Sequence, residues 1–341
     1  MDRTTPPPTD RATVLEVRGL TTEIGTRQGV VRPVDDVCLS LRSGEVLGLV
    51  GESGCGKSMT AYSIIGLVDP PARIVAGSVR LRGQELVGAD EETLRRVRGN
   101  RVAMIFQDPM MTLNPVLRID TQMIEAILAH RQMPREQARV LCREALERVG
   151  IASAEERLRN YPHQFSGGMR QRVAIAIALL NEPDLIICDE PTTALDVTIQ
   201  SQILHEMQAL CEATGTALLW ITHDLSVVAG LADRMCVMYA GRVVELGTTS
   251  DVLTRPRHPY TRALLASAPA RHARGQVLNQ IGGQPPSLAR LPQGCAFAPR
   301  CDRAGPDCAQ MPALRVLGEG EVRCHRPVEQ GEAAAGGLEA A

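Results

Sequence analysis

The chain has 341 residues, 44% of them hydrophobic, enough to bury a real core, which excludes a wholly disordered protein. Its 37 basic and 39 acidic side chains leave a net charge of −2, which argues against a polybasic nucleic-acid binder. Every basic residue is arginine except one, Lys57.

In chain order, a proline-rich polar start (residues 1–12) reads as a disordered tail, followed by Val14–Leu20, whose alternating apolar residues predict an edge strand. Glu45–Val50 is a short apolar segment leading through a glycine-rich turn into Met59–Val68, which reads as a helix. Further strands are predicted at Arg101–Phe106, Leu185–Cys188, Ala217–Thr222 and Met235–Tyr239, with helical patterns over Val197–Cys211 and between Ile119 and Val149. This alternation predicts an α/β fold with a mostly parallel, helix-covered sheet. A long helical stretch from about Thr121 to Glu156 interrupts the alternation and reads as an inserted helical subdomain, spanning about 115–180 with its flanks. The expected organisation is a nucleotide-binding domain over 13–255, a loop-rich extension over 256–326, held by something other than a large core, and a low-complexity tail over 327–341.

No apolar run approaches the roughly 18 residues needed to span a bilayer, and Met1–Thr13 lacks an apolar signal-peptide core. A cytoplasmic chain is expected, in which the ten cysteines stay reduced and clustered ones read as metal ligands.

Gly51-Glu52-Ser53-Gly54-Cys55-Gly56-Lys57-Ser58 matches the phosphate-loop pattern G-x-x-x-x-G-K-[ST] between a predicted strand and a predicted helix. Its glycines let successive backbone N–H groups curl around phosphate oxygens, the helix N-terminus adds partial positive charge, and Ser58 offers a hydroxyl to Mg²⁺. Lys57 then reaches the β and γ phosphates. Gly51, Ser53, Gly54, Cys55, Gly56, Lys57, Ser58 and Met59 are the candidate nucleotide-binding residues of this segment. The chain uses arginine at every other basic position, and an arginine fork does not replace a compact ammonium in such a loop. Asp189 and Glu190 end the strand Leu185–Cys188. An aspartate there can hold the Mg²⁺ coordination shell, and the next carboxylate can orient or deprotonate an attacking water. Together these residues describe an ATPase or GTPase.

Phe165-Ser166-Gly167-Gly168-Met169-Arg170-Gln171-Arg172 resembles the signature motif of ATP-binding cassette proteins. Gln107 in Ile105-Phe106-Gln107-Asp108-Pro109, Asp196 in Thr193-Ala194-Leu195-Asp196 and His223 in Ile221-Thr222-His223-Asp224 are similar to the family's Q-loop, D-loop and switch histidine, in the family's order from Val14 to about Arg255. There are two departures: Met169 stands where the family often has glutamine, and Ile24 stands nearest the position of its adenine-stacking aromatic. The resemblance implies ATP and Mg²⁺, the ion being held by Ser58, Gln107 and Asp189. It also implies a head-to-tail pair of ATPase subunits. Glu190, His223 and Gln107 would then act on this chain's own nucleotide, while Ser166, Gly167 and Gly168 would close over the partner's.

The extension carries Arg257-His258-Pro259-Tyr260-Thr261-Arg262-Ala263-Leu264-Leu265, then Pro285-Pro286-Ser287-Leu288, then Gly294-Cys295 through Pro299-Arg300-Cys301. With Tyr161-Pro162-His163-Gln164 and Met104–Pro109, these segments resemble the ATPase subunits of oligopeptide and dipeptide importers, a group that includes transporters of nickel and other small solutes. The resemblance implies two transmembrane permease partners, a second identical or homologous ATPase subunit and an extracytoplasmic peptide-binding protein reached through the permeases. It implies a peripheral place on the cytoplasmic face of the inner membrane. Cassette ATPases of DNA repair or ribosomes are the alternative class. Their usual double cassettes, long coiled-coil insertions or basic surfaces are missing from this balanced single cassette, and no nucleic-acid partner is expected. A redox or metal sensor built on the cysteines is the third reading. Cys295, Cys301, Cys308 and Cys324 offer four irregularly spaced thiolates, suited to a [4Fe-4S] cluster, with Zn²⁺ or unliganded thiols and disulfides as alternatives.

Overall fold

The computed structural model describes residues 11–27, 29–108, 112–192, 197–268 and 279–329. The two predicted tails thus fall almost wholly outside the described residues, as do Pro109 and the Thr193–Asp196 segment. Two long strands, β1 (Thr13–Thr26) and β2 (Gly29–Arg42), open the chain; β3 (Val46–Val50) then leads into α1 (Lys57–Ile64). β4 (Ala72–Leu81), β5 (Gln84–Glu85), α2 (Glu91–Val97) and β6 (Val102–Ile105) follow, and then the helices α3 (Ile119–Leu128), α4 (Arg135–Arg148), α5 (Ala154–Arg157) and α6 (Gly167–Leu179). Next come β7 (Leu185–Asp189), α7 (Val197–Thr214), β8 (Ala217–Thr222), α8 (Leu225–Leu231), β9 (Arg234–Tyr239) and β10 (Arg242–Thr248). The chain continues through α9 (Thr249–Thr254), α10 (Pro259–Ala266), β11 (Arg315–Leu317) and β12 (Gly320–Val322).

The chain divides into two compact units interleaved in sequence. The first comprises Ser40–Val46, Arg80–Trp220 and the described residues of Met1–Leu15; the second comprises Glu16–Leu39, Leu47–Val79 and the described residues of Ile221–Ala341. In the first unit β6 and β7 run parallel, with Val102 opposite Leu185 and Ile105 opposite Cys188. All of β7 is buried, as expected of an apolar strand covered on both faces. The predicted single helical stretch is broken at Pro134, which precedes α4 and cannot continue a helix from α3. α3 buries Ile119, Met123, Ile124 and Ile127, and α4 buries Ala138, Cys142, Ala145 and Leu146, each set at helical spacing. Arg139 of α4 ties the bundle by ion pairs to Asp120 of α3 (2.6 Å) and Glu155 of α5 (2.9 Å).

In the second unit the strand order is β11-β12-β10-β9-β3. β3 and β9 are parallel, while β10 runs antiparallel to both β9 and β12. β10, which follows the last strand expected from the sequence, runs antiparallel because Ala240 and Gly241, both at positive φ (47° and 84°), make a two-residue turn that folds it straight back on β9. The extension is loop-rich, with only short regular elements, and packs on the strands of the second unit rather than on a large core of its own. The extension contributes β11 and β12, and its Tyr260 and Phe297 pack on Tyr239 of β9 with ring centroids 4.5 and 5.3 Å away. In a chain with only three Phe, four Tyr and one Trp, three aromatics thus gather at one junction. They form a core with Val237, Val244 and Val252, against which Ile281, Leu288 and Leu291 pack.

Glu245 of β10, 1% exposed, anchors the start of the extension by accepting the backbone N–H groups of Arg257 (2.7 Å) and His258 (2.9 Å). Burial pushes the His258 pKa down to about 3, so the ring is neutral and its Nδ1 accepts the Tyr260 N–H at 3.0 Å, capping α10. Glu245→Ala strands two buried donors and is expected to cost about 2–3 kcal/mol in denaturant unfolding. Glu245→Gln, which keeps one of the two accepting oxygens, should lose less; equal losses would contradict the anchor.

Candidate functional site

The phosphate-loop segment follows the fully buried β3 and turns directly into α1. Its geometry requires glycine at two places. A Cβ on Gly56, where φ is +107°, would meet the Pro33 carbonyl oxygen at 1.9 Å, and one on Gly51 would meet the Met238 carbonyl oxygen at 2.3 Å. Ser53 and Gly54 are exposed. The first turn of α1 has neither a side-chain cap nor an acidic residue, so its N-terminal amides suit an anion. Lys57, 6% exposed, donates from Nζ to the carbonyl oxygens of Gly51 (2.9 Å) and Glu52 (3.1 Å). Its ammonium therefore lies back across the loop, and Cys55 is buried beneath it. Ser58 and Met59 are half-buried in the first turn of the helix.

In the first unit, the parallel pairing of β6 with β7 brings Gln107 to Glu190. Gln107 Nε2 donates to Glu190 Oε2 at 3.2 Å across 83 residues of sequence. Asp189, the last residue of β7, is 2% exposed. Glu190 has φ +47°, a left-handed conformation that costs a non-glycine residue about 1–3 kcal/mol and is concentrated at functional sites. The bend re-aims the carboxylate after the buried strand, so the two adjacent acids stand in different environments.

Ser166 caps α6, its Oγ accepting the Met169 N–H at 3.3 Å. Ser166 and Gly167 are exposed and Gly168 half-buried; a Cβ on Gly167 would meet no atom within 4 Å. This free helix end is rigidly backed. Arg170 donates from Nε to the carbonyls of Pro162 (3.0 Å) and Phe165 (3.1 Å), while Arg172 pairs with Glu206 at 3.0 Å and donates to the Val149 carbonyl. The adjacent Gly150, φ +72°, leaves room for that guanidinium, since a Cβ would lie 2.7 Å from it. At Met169 the cap uses the backbone N–H, which is indifferent to the side chain.

His223 is exposed immediately after β8, in the second unit, and Asp224 behind it caps α8 by accepting the Ser226 N–H at 2.8 Å. Ile24 is half-buried on β1. Asp196 lies outside the described residues.

Cys295, Cys301, Cys308 and Cys324 line one small enclosed cavity. All four are free thiols, and burial pushes Cys295, Cys301 and Cys324 upward in pKa, the last to about 11. Two backbone N–H groups two residues on point at sulfur, Arg303 to Cys301 (3.4 Å) and Arg326 to Cys324 (3.3 Å), and the Phe297 N–H faces Cys295 in the same way. Gly294, φ +76°, lets the segment lie against the Cys308 carbonyl, which a Cβ would meet at 2.3 Å. Among the described residues, no three His, Cys, Asp or Glu side chains converge closely enough to hold a single metal ion.

The motifs missed one contact of the phosphate loop. Glu52, an unrestricted position of the pattern, is bound by Tyr260 and Arg300 of the extension. No local signal could have found a pair 248 residues apart.

Among the described residues no helix is long and apolar enough to cross a membrane. The family described as ABC transporter matches residues 34–193, and the oligopeptide/dipeptide transporter C-terminal region matches residues 244–308. The chain is similar to the oligopeptide transport ATP-binding protein OppD of Escherichia coli (strain K12), at 46% identity over 318 residues, 93% of this chain and 94% of the relative. It is also similar to the dipeptide transport ATP-binding protein DppD of Bacillus subtilis (strain 168), at 48% identity over 289 residues, 84% of this chain and 86% of the relative. Among solved structures it resembles the dimeric post-hydrolysis state of the ATP-binding cassette MJ0796 bound to ADP and Pi, with a TM-score of 0.63 and 27% identity, over 69% of this chain and 98% of that one. By its phosphate loop, its signature helix and end-to-end similarity that includes the extension, the chain belongs to the ABC transporter family, among the ATP-binding subunits of the oligopeptide/dipeptide type.

Proposed function

We propose that this chain hydrolyses ATP to drive peptide import through partner permeases. The observation that carries this reading is the 46% identity to an oligopeptide transport subunit, which runs through the extension as well as the cassette. A cell lacking this chain should fail to accumulate a labelled tripeptide and should take up Ni²⁺ normally. Intact peptide uptake with lost nickel uptake would instead favour the small-solute reading.

The local geometry supports the following residue roles. Lys57 leaves its two carbonyls for the β and γ phosphates, and the N-terminal amides of α1 add to their binding. Ser58, Gln107 and Asp189 supply hydroxyl, amide and carboxylate oxygens, the hard donors that Mg²⁺ takes, and bound there the ion would offset phosphate charge. Gln107 already spends its amide nitrogen on Glu190, which leaves its oxygen for the ion. Glu190 orients and deprotonates the attacking water, and His223 meets the γ-phosphate. Ser166, Gly167 and Gly168 present an uncovered helix N-terminus to the nucleotide of a second ATPase subunit, and Asp196 is assigned to nucleotide binding with them. The nucleotide-binding domain is assigned to 13–255, with its helical subdomain at about 115–180, and the extension to 256–326. Two permeases, a second identical or homologous ATPase and a peptide-binding protein complete the assembly, with this chain on the cytoplasmic face of the membrane.

The four cysteines suit a [4Fe-4S] cluster with a structural role. Zinc with Zn–S bonds of about 2.3 Å would draw four sulfurs to within about 4 Å of one another. What supports the reading is that all four cysteines line one cavity and that N–H groups aimed at sulfur would stabilise thiolate ligands. Anaerobically purified protein is expected to be brown, with iron and sulfide in equal amounts. A colourless, zinc-bearing protein would overturn the assignment.

A further inference from the structure

The extension grips Glu52 of the phosphate loop at both of its polar ends. The Glu52 backbone N–H donates to Tyr260 Oη at 2.9 Å. Its carboxylate receives a two-pronged fork from Arg300, Nη1 to Oε2 at 2.8 Å and Nη2 to Oε1 at 3.0 Å. The same guanidinium donates from Nη1 to Tyr239 Oη at 3.1 Å and from Nε to the Gly282 carbonyl at 2.9 Å. Four of its five N–H donors are therefore used, and the side chain is only 4% exposed, lying over the Tyr239 and Phe297 rings. A guanidinium so fixed cannot swing away to follow a mobile carboxylate.

Glu52 stands between Gly51 and the crest of the loop, and its carbonyl is one of the two oxygens that hold Lys57. A carboxylate at this position adds a negative charge to a loop that must receive a polyanion, and like charges in a partly buried site repel strongly. The bidentate fork neutralises that charge and fixes the residue whose carbonyl anchors the lysine. We propose that Arg300 is a positioning residue for nucleotide binding, which neutralises and holds Glu52 so that the phosphate loop accepts ATP. This inference rests on the assignment of that loop to the nucleotide.

An arginine that only fastens the extension predicts something different, so a double-mutant cycle on the full chain separates the two roles. ATP affinity is measured by calorimetry in Mg²⁺ at fixed ionic strength. Arg300→Met is expected to weaken ATP binding about tenfold, with kcat at saturating ATP changed less than about twofold. Glu52→Gln alone should bind ATP at least as tightly as the parent, and Glu52→Gln combined with Arg300→Met should recover most of the lost affinity. Unchanged affinity in Arg300→Met, or an equal loss with and without Glu52→Gln, overturns the proposal. Where Arg300→Met does not fold, Arg300→Lys serves: a weakening of about threefold that Glu52→Gln removes supports it, and one that Glu52→Gln leaves in place overturns it. A parent protein that binds no ATP would instead sink the assignment of the loop itself.

Discussion

Glu190→Gln is expected to leave ATP binding intact, lower ATP turnover by about a hundredfold or more, and trap the nucleotide-bound dimer. The substitution is nearly isosteric. Its amide oxygen can still accept from Gln107, which lies 3.2 Å from the native carboxylate, so the local geometry should persist. What is lost is a group able to take a proton from water. The left-handed backbone at Glu190 is the reason to test this carboxylate rather than its neighbour. Asp189 is buried at the strand end, whereas Glu190 is turned out of the strand towards Gln107. Three measurements decide the matter: turnover, nucleotide affinity, and size-exclusion elution with and without ATP. Normal hydrolysis by the variant would remove Glu190 from the proposed chemistry.

Lys57→Arg, conservative by charge, is expected to lose most ATPase activity, by about a hundredfold, because a displacement of about 1 Å in such a site is enough. The Lys57 ammonium fits inside a curl of backbone, donating to two carbonyls that belong to successive residues. A guanidinium is planar and broader, and the surrounding backbone cannot yield to it. Gly51 is already so close to the Met238 carbonyl, and Gly56 to that of Pro33, that neither tolerates even a Cβ. The fold should survive, since the loop is closed by glycine geometry and by β3 behind it. A melting temperature within about 5 °C of the parent, together with lost turnover, is the expected pair of results. Retained turnover would make the chain's single lysine an accident of composition.

The phosphate loop, the signature cap and the acid pair were legible in the sequence because each is a local device. Helix-opening serine, glycine at fixed offsets and carboxylates after an apolar run act over fewer than about ten residues, within reach of spacing rules. The break between α3 and α4 was legible in principle at Pro134, but hydrophobic periodicity continues on both sides and concealed it. The extension was harder still. β11 and β12 have three residues each, too few to show alternation, and they become strands because β10 offers β12 an edge to pair with. Its core was invisible for a similar reason: Tyr260 and Phe297 look like isolated aromatics until the fold brings them onto Tyr239 and onto each other.

By itself, then, the amino-acid sequence determined the family, the phosphate-loop pattern that holds the chain's one lysine, and the positions of the four cysteines. Tertiary structure decided which distant groups meet. It set Gln107 on Glu190 through the register of β6 and β7, the four thiols around one cavity, and Arg300 on Glu52 across 248 residues. The physical reason is that a motif encodes its own backbone geometry. An ion pair between remote segments depends instead on packing that places both ends, and nothing near either residue records its partner.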